Sequence, residues 1–489
     1  MTIGAIIGSI SSSLFVNKMG PKGSFLYISI INILGCMLIY LSSNLHPEED
    51  FKSLPQYEQS LQIVFNNRGI PEKEAEKRNN DGNEYSFSQW KNQSDVLGFS
   101  HIGFIGEKYT FPSALYLLSA GRLLNGIFVG LASAVAPQYI IEISPPSKQG
   151  VIGVLNQLLI TIGILVVNIF GLESLGGKNY VLVFIIPGFI SLIFAILTVF
   201  GKTFLPESPK FLYLIQNDRE TAEQNMLIMR SSKDQVDLEM KILDAEQEAQ
   251  KANTSDNSLS VRQLFQKIEL RWQVLTLFFM HIAQPMTGIN AVFFFSNEIF
   301  QNVNVAASQL VYYSIALSGL NVFMTVISAQ VIERTGRKFL LLGGYVFACT
   351  SMTFLVFAMK WNLSIISLLA LLGFIAGFAI GPGPIPWIYN SELFPTSARG
   401  AAGVLGCITN WGFNFIIAAL FNTANKYLGP NVFFIFIVFS VMTCVYVVKV
   451  VPETKGKSAN QVFNDFAERN GVAKIDEQEM VAMKGAEEL

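Results

Sequence analysis

Charge is scarce in this chain. Lys, Arg, Asp and Glu make up 14% of its 489 residues, and the formal net charge is −2. No polar stretch gathers enough Lys and Arg to follow a phosphate backbone, so no nucleic-acid partner is expected. Histidine is rarer still: His46, His101 and His281 are far apart, and His281 reads as a partnered residue of an apolar helix rather than a ligand. The four cysteines, Cys36, Cys349, Cys407 and Cys444, fall inside apolar runs and show no CxxC spacing. They read as buried thiols, which argues against a metal site or a disulfide framework. No phosphate loop and no nucleophile motif is present, so no enzyme activity and no cofactor are expected.

What the chain has in excess is apolar surface. Hydrophobic residues are 51% of the total, 40 of them Phe, and the mean hydropathy is +0.42. A soluble protein of this length would not carry so much. Runs of about 20 apolar residues are long enough to cross a bilayer core as helices. They fall near 3–17, 24–43, 113–140, 150–171, 180–201, 272–300, 308–332, 339–359, 364–388, 398–422 and 431–451. These predict eleven spanning helices, five before a long middle loop and six after it.

The second half repeats the landmarks of the first. EISPPSKQG (142–150) recurs as ELFPTSARG (392–400) at an offset of 250, and KMGPK (18–22) recurs as RTGRK (334–338) at an offset of 316. The difference, 66 residues, matches a polar stretch inserted into the first copy at about 44–110. PES (206–208) and PET (452–454) close the two copies. The expected architecture is therefore an all-α membrane protein of two pseudo-symmetric lobes. Residues 1–201 form the N-terminal lobe with its 44–110 insert, and 202–271 a helical linker. Residues 272–451 form the C-terminal lobe, and 452–489 a tail. The helix at 272–300 precedes the one leading into RTGRK, and its first-copy counterpart would lie before Met1. The pattern thus predicts a twelve-helix design without its first helix.

Lys18, Lys22, Arg334, Arg337 and Lys338 sit in short loops, which the positive-inside rule places in the cytosol. The insert then faces outward, and the linker and tail face inward. Asn92, in the outward insert, opens an N-glycosylation sequon.

GRLLNGIFVG (121–130), PESPKFL (206–212), GINAV (288–292), ERTGRK (333–338), GPGPIPW (381–387) and PETKG (452–456) together resemble the signatures of the sugar porter family of the major facilitator superfamily. The resemblance is strongest to the animal facilitative glucose transporters. It implies the major facilitator fold, a small-molecule sugar substrate, a lipid-embedded multi-pass chain in the plasma membrane and transport by alternating access.

A hexose offers a ring of hydroxyls and an apolar face, so its site calls for amides and flat aromatic surface. Amides buried in a bilayer are costly unless partnered, which makes each one informative. Gln157 with Thr161, Asn321 with Thr325, and Asn410 with Asn414 are spaced four apart on a helix face, and Gln284 and Asn290 flank a break at PMTGI. Each also has the plainer reading of a helix–helix hydrogen bond. Gln157, Gln284, Asn290, Asn321 and Asn414 occupy positions at which the resembled transporters hold sugar. Phe378 and Trp387, with Trp411 further back, are candidates for the stacking surface. Gly381, Pro382, Gly383, Pro384 and Pro386 cannot sustain a helical ladder and mark a gating helix. Arg122, Glu142, Glu333, Arg334, Arg337, Glu392 and Arg399 are expected at cytosolic helix ends, as a latch between the lobes.

The chain departs from the resembled family at four places. Pro285 replaces the second glutamine of QQLSG, Ala379 replaces an acid two positions before GPGPIPW, Pro21 replaces an arginine, and Gln149 stands where the counterpart of Arg399 would be arginine. Proton-driven sugar porters, which the chain also resembles, carry an acid in the first helix, the segment expected to be missing. No other predicted mid-helix position holds Asp or Glu, Glu298 lying toward an outer end. Passive uniport of a hexose, glucose first, is therefore expected, partly from the resemblance to the animal carriers. A non-transporting sensor or degenerate relative and a proton-coupled symporter remain as alternatives. The particular hexose or polyol and the oligomeric state are left open by the sequence.

Overall fold

The computed structural model describes residues 1–44, 113–145, 148–172, 174–175, 180–201, 205–252, 259–293, 309–457 and 459–474. The polar insert beyond Asn44, with the sequon at Asn92, and Glu298 lie outside the described residues. Contacts divide the chain into two compact units. One is Met1–Met37 together with Gly121–Leu489. The other is Leu38–Ala120, of which only the adjoining helix ends are described.

Among the described residues the structure is helical, with no strand. The first copy consists of α1 (Thr2–Asn44), α2 (Ser113–Ile143), α3 (Gln149–Phe170) and α4 (Tyr180–Phe200). A π turn at Phe211–Ile215 leads to the linker helices α5 (Arg219–Met229), α6 (Lys233–Ala252) and α7 (Val261–Gln266). The second copy is α8 (Arg271–Ala283), α9 (Leu310–Thr335), α10 (Arg337–Lys360), α11 (Ser364–Ile380), α12 (Ile385–Glu392), α13 (Thr396–Leu428) and α14 (Phe433–Lys449), and α15 (Ala459–Asn470) follows it.

Among the described residues, each of the eleven expected spans falls mainly on helix. α1 carries two of them, Thr2–Val16 and Lys18–Ser42, separated at Gly20. The span at 272–300 is α8 followed by a 3-10 turn, Pro285–Thr287, and a resumed helix that reaches 293. Seven helices among the described residues are long and apolar enough to cross a membrane, the longest holding the last two spans in succession. The apolar side chains of α4, including Phe189, Ile190, Ile193 and Phe200, point outward. That suits a lipid solvent and would be ruinous in water. The chain is a multi-pass membrane protein.

Two glycines turn the chain at the repeated landmark. Gly20 (φ 75°, ψ 169°) bends α1 between its arms, and Gly336 (φ 88°, ψ 165°) separates α9 from α10. Only glycine takes such a backbone without strain. The amides that follow each turn are held by a carboxylate. Glu207 accepts from Lys22 N at 3.1 Å, while Glu453 accepts from Arg337 N at 2.9 Å and Lys338 N at 3.0 Å. A negative charge at a helix start is favourable in both lobes.

The halves meet along α3 and α9. Asn168 Nδ2 donates to Ser318 Oγ at 2.6 Å near one end of this seam, and Gly150 abuts Glu333 and Arg337 at the other. The linker has a small core of its own, Leu212, Tyr213, Ala222, Met226, Val236, Met240 and Leu243. Arg230 ties it to the first copy, donating to Ile143 O at 2.9 Å while its fork grips Glu239 at 2.6 and 2.7 Å. α15 docks on the start of α8: Asn470 Nδ2 donates to Glu269 O and Gln273 Oε1, and Asn470 Oδ1 accepts from Trp272 N.

Candidate functional site

The break between α11 and α12 organises the site. Pro382 and Pro384 have no amide hydrogen, so the carbonyls that would have paired with them need other donors. Side chains of neighbouring helices reach the broken backbone at two carbonyls, of which Ile380 O is one freed by a proline. Ser328 Oγ on α9 donates to Ile380 O at 2.5 Å, and Gln284 Nε2 at the end of α8 donates to Gly383 O at 2.6 Å. Gly383 itself reaches back to Phe378 O at 2.8 Å. The freed backbone is thus satisfied by protein, the condition for irregular chain at membrane depth.

From Gly383 a continuous string of amides runs along α13. Asn410 Nδ2 donates to Gln284 Oε1 at 2.5 Å and to His281 O at 3.3 Å. Asn414 Nδ2 donates to Asn410 Oδ1 and O, each at 3.0 Å. Asn290 Nδ2 donates to Asn414 Oδ1. Gln157, on α3 of the other half, lies alongside: a methyl placed on Gly383 would be 3.3 Å from Gln157 Nε2 and 3.2 Å from Phe378. Five of the seven expected substrate residues, Gln157, Gln284, Asn290, Asn414 and Phe378, are therefore gathered about one helix break.

Trp387 is buried one turn further on, among Ala134, Cys407 and Trp411. Its ring stands edge-on to His281 at 5.1 Å, and His281 Nε2 pairs with Asn390 Oδ1 at 2.8 Å. The partnered reading of His281 thus agrees with the structure. Trp411 Nε1 is buried without a hydrogen-bond partner, and so is Asn321 Oδ1. Asn321 joins none of the described amide bonds. On α9 its backbone oxygen accepts from Thr325 Oγ1.

At the basic end, Arg337 is the hub. Its fork reaches Glu333 at 3.1 and 3.2 Å and Glu392 at 2.9 and 3.0 Å, and its side chain is only 5% exposed. Thr454 Oγ1 donates to the second oxygen of Glu392. The first copy reproduces the frame without the arginine: Glu142 accepts from Ser208 Oγ at 2.6 Å and from Gln138 Nε2 at 2.8 Å. Near Glu207, burial pushes the carboxyl above its usual range, against the backbone amides of Lys22 and Ser208, which pull it down.

One member of the expected latch lies elsewhere, and a second, Arg334, stands at the expected helix end outside the Arg337 cluster. Arg122 lies 20 residues before Glu142 on the same helix, hence about 30 Å from the basic end. The expected span 113–140 already holds Arg122, and that helix, α2, runs on past Glu142 and puts Arg122 near its other end. Arg334 is exposed, and the contact made there is through its backbone, whose carbonyl accepts from Lys455 Nζ at 3.0 Å. Arg399 donates to Phe394 O at 3.2 Å, within its own half, and lines a cavity of about 40 Å³ together with Glu142, Gln149, Lys210 and Trp387. Glu453, Thr454 and Gly150 were missed, although PET gave a signal for the first two.

Comparison with known proteins bears on this geometry. A family profile described as "Sugar (and other) transporter" matches residues 96–466. The chain belongs to the sugar porter family of the major facilitator superfamily. Among its relatives, solute carrier family 2, facilitated glucose transporter member 2 of Sus scrofa is 36% identical over 77% of this chain and 70% of its own. Member 3 of Oryctolagus cuniculus is 37% identical over 80% and 79%, and member 5 of Rattus norvegicus 33% over 73% and 71%. The fold of this sugar porter matches that of the proton:xylose symporter XylE bound to 6-bromo-6-deoxy-D-glucose (TM-score 0.68, 21% identity, covering 94% of this chain and 86% of that one). A double-tryptophan XylE variant matches at a TM-score of 0.71, also with 21% identity and the same coverage. The relatives of this sugar porter are transporters rather than enzymes.

Proposed function

We propose that this sugar porter is a facilitative hexose carrier of the plasma membrane, working by alternating access around the α11–α12 break, with glucose the first substrate to try. The observation that carries the reading is the amide string Gln284, Asn410, Asn414 and Asn290 beside Gln157. Amides that both donate and accept, buried or half-buried beside Phe378 and Trp387, suit a ring of hydroxyls over an apolar face. Asn321 adds a buried acceptor from α9. The relatives' description as facilitated glucose transporters supports the same substrate class.

Passive uniport is supported by where the carboxylates stand. Among the described residues, Glu142, Glu333 and Glu392 sit at the ends of their helices, gathered toward Arg337 or Ser208. None of these three is placed at the amide string, and the relatives are described as facilitated transporters. The Arg337 cluster is a candidate latch, since ion pairs that reform each cycle can set the balance of states.

Counterflow in proteoliposomes tests the proposal. Vesicles preloaded with unlabelled glucose should transiently accumulate labelled glucose, and an imposed pH gradient should leave the overshoot unchanged. An overshoot that appears only with the gradient would replace uniport by proton coupling, and no counterflow would remove the carrier reading.

A further inference from the structure

The linker joins the second copy through a short stretch with two different faces. Leu259 N donates to Ser397 O at 2.9 Å at the start of α13. Leu259, Leu264 and Leu270 are buried in the core that holds Leu277, Tyr345 and Tyr389. A capping box between Ser260 and Gln263 fixes the start of α7, and a 3-10 turn, Ile268–Leu270, runs directly into α8. One face of the stretch is thus packed on the body of the protein.

The other face carries Phe265, 60% exposed, and Ile268, 67% exposed. Neither lies in a spanning helix, so lipid tails at a span do not account for them, and in water two such bare apolar side chains are unfavourable. Arg262, Lys267 and Arg271 flank them, all exposed. The single acid between Val261 and Trp272 is Glu269, 3.6 Å from Lys267, which leaves the stretch with a net charge of +2. Among the described residues neither Arg262 nor Arg271 enters an ion pair.

The depth of this face follows from its place before α8. Trp272 opens the span, with the Arg469 guanidinium of α15 5.6 Å from its ring centre, and an indole at a span's end marks the boundary of tails and headgroups. Ile268 precedes it by four residues, about 6–8 Å of helical rise. One headgroup layer is roughly 5–7 Å thick.

We propose that Arg262, Phe265, Lys267, Ile268 and Arg271 form a docking surface for the headgroups of an anionic phospholipid leaflet, the phosphates meeting the cations while the two apolar side chains enter the acyl boundary. Depth and charge complementarity select this occupant. A second copy docked symmetrically would set the cations against their own counterparts. Docking ties the linker to the bilayer beside α8, the helix that ends at Gln284.

The test uses the full chain, one copy per nanodisc, with an NBD fluorophore on Gln266→Cys, an exposed position between the two apolar side chains. The wild type controls for native thiols, and Gln224→Cys on α5 for general surface effects. With phosphatidylcholine and phosphatidylserine in equal parts, emission at Gln266→Cys should shift to the blue relative to phosphatidylcholine alone. Brominated acyl chains should quench it and high salt should reverse the shift, while the reporter on α5 stays unchanged. Arg262→Gln, Lys267→Gln and Arg271→Gln together should remove the shift, at about fivefold in the docked-to-free ratio per cation. Phe265→Ser with Ile268→Ser should lose the quenching, with the melting temperature in detergent unchanged. Equal emission in the two lipids, or a shift that survives the triple substitution in folded protein, overturns the proposal. A shift in detergent that grows with protein concentration and ignores phosphatidylserine overturns it too, and assigns the face to a second copy. The readout needs no transport, so it stands or falls apart from the carrier reading.

Discussion

Replacing Gln284 by alanine should damage sugar affinity more than it damages the fold. Its amide makes two described bonds, to Gly383 O and from Asn410 Nδ2. Hydrogen bonds between membrane helices average about 0.6 kcal/mol and reach about 1.7, so two of them set a stability loss of about 1–3 kcal/mol. If the same amide also meets a sugar hydroxyl in the buried site, the bound state loses a further contact and leaves a buried group unpaired, about 1–3 kcal/mol. Every 1.4 kcal/mol is about tenfold, so KM should rise roughly 5- to 150-fold. Labelled-glucose uptake at several concentrations, normalised to surface protein, gives KM. Glucose-dependent thermal shift of the purified carrier gives affinity separately from turnover. Asn410→Ala should share much of the effect, because Asn410 orients the Gln284 amide, and the double variant should fall short of the sum. A Gln284→Ala protein with lowered thermal stability but unchanged KM and an unchanged glucose-induced shift would refute the reasoning. The amide string would then be only a structural tie between helices.

Other outcomes follow from the same structure. Arg337→Met strands Glu392 and Glu333 without their cation and should destabilise by about 3–5 kcal/mol, read as a fall in detergent melting temperature and in surface yield, with Arg337→Lys recovering only part. Arg230→Ala releases the linker from Ile143 O and should speed limited proteolysis within 205–252, leaving glucose-induced stabilisation in place. Glu207 has a carboxyl raised by burial above its ordinary 4.5, so its folded-state contribution is fully present below about that pH and is lost as pH rises through the raised value. Glu207→Gln should therefore flatten the decline in melting temperature on going from acid to neutral pH, and an unchanged pH profile would contradict that.

Much of the fold was legible because a bilayer imposes length and periodicity on every span. Runs of about 20 apolar residues, and glycines and prolines at their breaks, located the helices, including the interruptions at Gly383 and Pro285. The amides of the site stood out for a related reason: Gln157, Gln284 and Asn414 are polar residues in apolar surroundings, and they converge. What could not be read was depth and partnership. Arg122 was assigned to the wrong end although the expected span 113–140 already contained it, and the unbroken course of α2 separates it from Glu142 by about five and a half turns. Gly150 gave no signal of its close approach to Glu333 and Arg337, since a glycine's neighbours across a seam leave no periodic trace. The docking of α15 through Asn470 was equally silent, because three side-chain bonds to α8 and its approach depend on tertiary placement alone.

The most direct test of the central claim is uptake of labelled glucose by this 489-residue chain in cells lacking their own hexose carriers, with surface expression confirmed and a protonophore control. The account predicts saturable uptake that other hexoses inhibit and that the protonophore leaves unchanged. Protein present at the surface with no uptake above background would contradict it.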